Sequence, residues 1–354
     1  MLYRENGQLD TSYMADLALF PIAQDRYAMR ILALVCLLAI PLLANDYLFR
    51  AVLIPFLILS LAAIGLNVLV GYCGLISLGT GAFMAVGAYA AYNLQVRFDG
   101  VPLVLAILGG GAFATVVGVI FGIPSLRIRG LYLAVATLAA QFFIDWCANR
   151  VSWVTNDSPS GSVSVASLQI AGQEWNTPVQ KYFLCLAFVA AFSLLTKNLV
   201  RGAIGREWMA IRDMDVAAAV IGIRPVYAKL TAFAVSSFIV GVAGALWALV
   251  HLGAWEPAAF GLDKSLQLLF MVIIGGLGSI SGNFLGAAFI VLLPMLLSHL
   301  SRVLGFSLST ATAAHLEHMI FGALIVLFLI VEPHGLARLW ATARHKLRLR
   351  HIPN

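Results

Sequence analysis

Apolar residues run through this chain in long blocks, and the blocks have the length of a membrane crossing. Ten stand out, at approximately 30–46, 51–70, 76–95, 102–123, 131–149, 180–197, 229–253, 264–280, 282–300 and 316–332. Each is close to the ~20 residues that span a bilayer core as a helix. The pattern predicts an all-α polytopic membrane protein of about ten transmembrane helices. A polar N-terminal arm, 1–30, precedes a membrane domain at 31–333, and a basic tail follows at 334–354. The arm is mixed in charge, so the first apolar block reads as a membrane anchor rather than the core of a cleavable signal peptide.

The longest polar interruption is 197–229, KNLVRGAIGREWMAIRDMDVAAAVIGIRPVYAK. It holds Lys197, Arg201, Arg206, Arg212, Arg224 and Lys229 against Glu207, Asp213 and Asp215. A surplus of Lys and Arg in a short loop marks the cytoplasmic face. The segment 207–214 has helix formers and neither Gly nor Pro, with an acid at its start. Asp213 or Asp215 is placed to cap a second short helix through 216–221. Gly222 supplies a left-handed stop, and Pro225 stands where that helix cannot continue. Such a helix–cap–helix–Gly unit fits a docking surface for a soluble partner; a solvated connector that only orients the protein fits the same residues.

Composition confirms the medium. The chain is 61% hydrophobic and 11% charged, where a soluble chain is about one quarter charged. Too little polar surface exists to cover a water-facing globule. The net charge of +6 sits in short loops and the tail, so it orients the protein and gives no sign of nucleic acid. An even number of spans puts both termini on one side. With that side cytoplasmic, the basic pair Arg127 and Arg129, the 197–229 loop and the tail cations Arg338, Arg344, Lys346, Arg348 and Arg350 all fall inside. The segment 150–180, with Trp153, Asp157 and Trp175, falls outside as either a plain surface loop or a contact site for a protein that delivers substrate. Attraction to anionic membrane lipid accounts for the tail.

Two stretches interrupt the helical pattern at membrane depth. One is 71–87, GYCGLISLGTGAFMAVG, following Asn67; the other is 275–286, GGLGSISGNFLG. They share a Gly/Ser core, Gly74, Ser77 and Gly79 against Gly278, Ser281 and Gly282. Unwound backbone is tolerated in a bilayer only inside protein or beside a wet cavity, and paired Gly breaks point to a translocation path. Close helix packing through small residues is the competing reading. Gly110, Ala114, Gly118 and Gly122 form a further stripe, read as packing only. Ionisable groups within the spans are few. Asp145 follows Gln141 by one helical turn near the end of the fifth block, either as a functional carboxylate or as one that reaches the interface. No chain of buried acids or histidines crosses the membrane, which speaks against a proton-coupled pump.

Chemistry is sparse. Cys36, Cys73, Cys147 and Cys185 form no CxxC pair and read as small apolar residues. No metal-ligand spacing is present, and no cofactor is expected. GxxxxGK[ST], GxSxG and HExxH are all missing, so the chain carries neither a phosphate cradle nor a hydrolytic motif, and it is read as a transport subunit rather than an enzyme.

Four stretches together resemble the permease subunits of branched-chain amino acid ABC importers, the LivH/LivM family, and lie closer to the LivM type. They are GLNVLVGYCGLISLGTGAFMAVGAYAA (65–91), LRIRGLYLAVATLAAQFF (126–143), GREWMAIRDMDVAAAVIGIRPVYAKLTAFAVSSFIVGVAGAL (205–246) and GGLGSISGNFLGAAF (275–289). The resemblance implies a subunit that moves branched-chain or related small amino acids across a bacterial inner membrane. It implies a coupling element within the 197–229 loop, with Gly205, Arg206, Ile211, Arg212, Asp215, Ala218 and Gly222 in the family's pattern. The implied partners are two ATP-binding cassette subunits, a second permease subunit and a periplasmic substrate-binding protein. A secondary transporter or channel, and a purely structural membrane subunit, are the rival readings.

Overall fold

The computed structural model describes residues 33–303, apart from 99, 126–130, 157, 159–160, 166–168 and 171–172, together with residues 27, 30, 31, 316, 319, 320, 322, 323, 326, 335–339 and 342. Most of the N-terminal arm, the tenth expected span, the Arg127/Arg129 loop and most of the basic tail lie outside the described residues.

Two long helices form the axis. Helix α1, Asp46–Tyr72, and helix α7, Pro225–Leu252, are mostly buried along their apolar cores. Pro55 has no N–H to offer the preceding turn, and α1 widens just there into a π segment at Phe49–Leu53. Around the axis pack α2 (Thr80–Arg97), α3 (Leu103–Ser125), α4 (Leu131–Arg150), α5 (Pro178–Arg201), α8 (Leu262–Gly275) and α9 (Ile280–Val303). The short helix α6, Ala203–Val220, joins α5 to α7. The first expected span is represented by helical turns at Val35–Ala39 and Ile40–Leu43, tied to α5 by the Tyr182 hydroxyl donating to the Cys36 carbonyl at 3.1 Å.

Hydrophobic burial does not drive helix association in lipid, so close backbone approach must. Helices α2, α3 and α7 meet through small residues. A Cβ on Gly110 would strike the Gly87 carbonyl, one on Gly241 would strike Ala114, and one on Gly118 would strike the Ser237 side chain. The Gly110–Gly122 stripe is therefore the packing face that its spacing predicts.

The Gly breaks are narrower than the sequence pattern suggests. Non-helical backbone covers residues 73–79, so α2 begins at Thr80 rather than at 76. The second break covers 276–279, between α8 and α9, with Gly276 at φ 119 and Gly278 at φ 72. Gly81, Gly87, Gly282 and Gly286 are helical and pressed against neighbouring backbone instead. At the opposite end of the bundle, the connection within 150–180 contains strands: β1 (Val163–Ser164) pairs antiparallel with β4 (Ala254–Trp255), and β2 (Gln169–Ile170) with β3 (Gln173–Glu174).

Candidate functional site at the α6 junction

Helix α6 lies across the ends of α1, α5 and α7. Arg206 Nη1 donates to the Arg201 carbonyl at 3.0 Å and so occupies an orphan acceptor at the end of α5. Gly205 is buried, and a Cβ there would meet the Val200 backbone. Trp208 is fully buried and its indole donates to Thr231 Oγ1 on α7 at 3.1 Å. Ile211 follows three residues later on the same face and is buried beside it. Both belong to an apolar cluster with Val68, Leu69 and Tyr72 of α1 and Ala228, Ala232 and Phe233 of α7.

The unit breaks at Met214, whose backbone is extended at φ −159° and ψ 95°. Met214, not Asp213 or Asp215, therefore holds the cap position of the second half. The two carboxylates turn to cations: Asp213 accepts from Arg212 Nε at 2.9 Å, and Asp215 accepts from Lys229 Nζ at 2.8 Å. The second half ends in a Schellman motif. Ile223 N–H donates to the Ala218 carbonyl at 3.0 Å and Gly222 N–H to the Ala219 carbonyl at 3.1 Å, with Gly222 at φ 93. Ala218 is buried under Ile223. Met214, Val216, Val220 and Ile221 turn the other way and are 69%, 65%, 82% and 75% exposed.

Arg212 reaches from α6 into the Gly breaks. Its Nη1 donates to the Gly71 carbonyl at 3.1 Å, and its side chain packs on Gly74, whose φ is 74. The carbonyl it occupies lies in the widened last turn of α1, Val68–Tyr72. One turn back, Asn67 is fully buried and joins the two breaks: its Oδ1 accepts from Gly278 N–H at 3.0 Å, and its Nδ2 donates to the Ser279 carbonyl at 3.2 Å. A side chain on Gly71 would collide with the Asn67 amide and the Gly278 nitrogen. Ser279 Oγ accepts from Gly282 N–H at 3.0 Å and so caps α9, while Ser281 is exposed. Asn67, Gly74, Gly278 and Arg212 thus come together.

Ser77, Gly79 and Gln141 lie at a second junction, around the start of α2. Leu78 N–H donates to Thr137 Oγ1 at 2.9 Å, and Gly79 N–H to Ser77 Oγ at 3.3 Å. The early N–H groups of a helix lack partners within it. Here Gly81 N–H donates to Ser265 Oγ of α8 at 2.7 Å, and Ala82 N–H to Gln141 Oε1 of α4 at 2.7 Å. Gln141 also accepts from Ser265 Oγ at 3.0 Å and donates to the Phe260 carbonyl at 3.0 Å. The glutamine is interior and hydrogen-bonded at both amide atoms, whereas Asp145, one turn on, is half-buried near the C-terminal end of α4. Sequence reasoning missed Trp208, Thr137, Ser265 and the partnership of Lys229. Trp208, the one aromatic amid the charges of 201–215, was the available signal for the first; the others are held by residues 14 to 184 positions distant.

Residues 48–329 match the family described as branched-chain amino acid transport system / permease component. Over 303 residues the chain is 30% identical to the high-affinity branched-chain amino acid transport system permease protein LivM of Escherichia coli (strain K12), covering 79% of this chain and 68% of that one. The LivM of Salmonella typhimurium is 29% identical over the same shares. A probable branched-chain amino acid transport permease protein LivM of Methanocaldococcus jannaschii is 25% identical over 66% of this chain and 68% of its own length. No solved structure gives a significant match. With its apolar helices, its paired Gly breaks and this span of similarity, the chain is a multi-pass membrane protein that belongs to the family of branched-chain amino acid transport permease components.

Proposed function

We propose that this permease carries branched-chain or related small amino acids across a bacterial inner membrane, and that α6 receives the drive for it from separate ATPase subunits. The observation that carries the reading is the Arg212–Gly71 bond, which joins the loop helix to the Gly-broken end of α1. The partners in this reading are two ATP-binding cassette subunits, a second permease subunit of the same or a related sequence, and a periplasmic binding protein that brings the cargo. Both termini lie in the cytoplasm.

The physics follows from differential affinity. A nucleotide-bound partner shifts the permease only as far as it binds one arrangement better than the other. The exposed Met214, Val216, Val220 and Ile221 supply apolar contact area for such a partner. Movement of α6 then pulls on Gly71 through Arg212, and on the second break through Asn67. Cargo passes along the two breaks, by Asn67, Gly74, Ser77, Gly79, Gly278, Ser281 and Gly282, with Gln141 and Asp145 nearer the outer side. Membrane vesicles containing the full complex provide the test. Arg212→Glu combined with Asp215→Lys abolishes ATP-dependent uptake while membrane abundance stays normal. Normal uptake by that double variant overturns the coupling role, and uptake by the permease alone replaces it with a secondary transporter or channel.

A further inference from the structure

Lys229 looked like one more loop cation, and the structure puts it elsewhere. It lies on the second turn of α7 with its side chain 11% exposed, and its Nζ is 2.8 Å from Asp215 Oδ2. Asp215 is the first residue after the extended Met214, so it belongs to the distal half of α6. Its other oxygen, Oδ1, is buried and has no hydrogen-bond partner. A partly buried ion pair, with its acid side chain 28% exposed and one carboxylate oxygen unmatched, adds little to stability, because desolvation offsets much of its attraction. Such pairs are better explained by register and switching, where one partner must be held at one place in one state.

The two halves of α6 are fastened differently. Trp208, Ile211 and Arg212 fix the proximal half to α1 and α7. The backbone then opens at Met214, so helical hydrogen bonding does not carry stiffness across that point. Beyond it, the distal half presents the exposed Val216, Val220 and Ile221 on one side. Its attachments on the other are the Ala218–Ile223 contact, the short turn to Pro225, and the Asp215–Lys229 pair. Ala218 joins the apolar cluster with Ala228 and Ala232 of α7, and among the described residues the pair is the polar link from the distal half onto the body of α7, the helix that packs on α1, α2 and α3. We propose that Asp215 and Lys229 form a strut that transmits displacement of the distal half of α6 into α7, separately from the Arg212 link to α1. Lys229 is thus a positioning residue for transport. The inference rests on the coupling role of α6 and adds a second, independent line of force to it.

The experiment uses the complete complex in proteoliposomes, with ATP hydrolysis and amino acid uptake measured on the same sample. Lys229→Met keeps the length of the side chain and removes its charge; Asp215→Asn does the same for its partner. Each single variant lowers the amount of cargo moved per ATP hydrolysed about tenfold, the scale of a typical coupling energy. The exchange of the two, Asp215→Lys with Lys229→Asp, recovers part of that loss. Membrane abundance and co-purification of the ATPase subunits are followed for all three, so that a folding defect is seen as such. An unchanged ratio of uptake to hydrolysis in both single variants overturns the strut. Parallel loss of hydrolysis and uptake also overturns it, since the pair would then serve docking alone. So does an exchange variant no better than the singles at normal abundance. Absence of ATP-driven uptake in the unmodified complex would instead remove the coupling reading on which the strut stands.

Discussion

Gly71 and Gly222 flank the same junction and are glycine for opposite reasons. Gly222 has φ 93 with open space around it, so a methyl group there meets only backbone strain. Gly222→Ala therefore costs about 1–2 kcal/mol, the penalty of left-handed backbone in an L-residue. Gly71 is helical, and its Cβ position is already filled by the Asn67 amide and the Gly278 nitrogen. Gly71→Ala forces the two breaks apart, at about 1–3 kcal/mol for overpacking, and also loosens the carbonyl that Arg212 holds. Thermal unfolding in detergent shows a modest fall for the first variant. The second loses uptake as well as stability. The left-handed stop at Gly222 is legible in the sequence, whereas the close approach at Gly71 is not, since Gly71 there is simply a glycine among apolar neighbours. Which backbone approaches which is decided by residues more than 200 positions apart.

At the scale of the element, α6 is two short helices with different tasks. Most of the proximal half could be read in advance as helix, since 207–213 has helix formers and neither Gly nor Pro. The distal stop was also legible, because few residues other than Gly accept the conformation at 222. The division into two short helices was read as well, but not that Met214 is the extended residue between them. Asp-Met-Asp has no intrinsic breaker, and the chain extends there because Arg212 is held by Gly71 on one side and Asp215 by Lys229 on the other. The exposed distal face gives a prediction of its own. Val220→Glu with Ile221→Glu places charge where an apolar partner would rest and touches nothing inside the permease. Co-purification of the ATPase subunits is lost, and the unfolding temperature of the permease alone is unchanged; retained co-purification would move the docking surface elsewhere. The start of α2 was similarly hidden: its N–H groups are completed by Gln141 and Ser265, far off in the chain, so pattern alone placed the helix four residues too early.

The whole molecule is organised by α7, with α1 alongside it. Among the described residues the apolar blocks were a good guide to where the helices lie, because lipid leaves a crossing segment little choice but to satisfy its backbone internally. Their mutual arrangement was legible only along the Gly110–Gly122 stripe, since small residues mark a close approach without naming the partner. That partner is largely α7, by way of Gly241, Ser237 and Phe233. Gly241→Leu accordingly drives α7 away from α3 and lowers the yield of folded protein in membranes severalfold, as monitored by size-exclusion chromatography. A normal yield would mean that the three-helix contact is dispensable.

The β1–β4 ladder extends the same helix past its C-terminal end. Val163 pairs with Trp255, and Val165 N–H donates to the Gly253 carbonyl at 2.9 Å, immediately past the last turn of α7. A tilt of that helix would be reported at once on the far surface, like the hand of a gauge whose spindle is turned from within. In the proposed complex, a delivery protein perched on the segment 150–180 would thereby sense whether the motor below is loaded, and let go of its passenger in step with it.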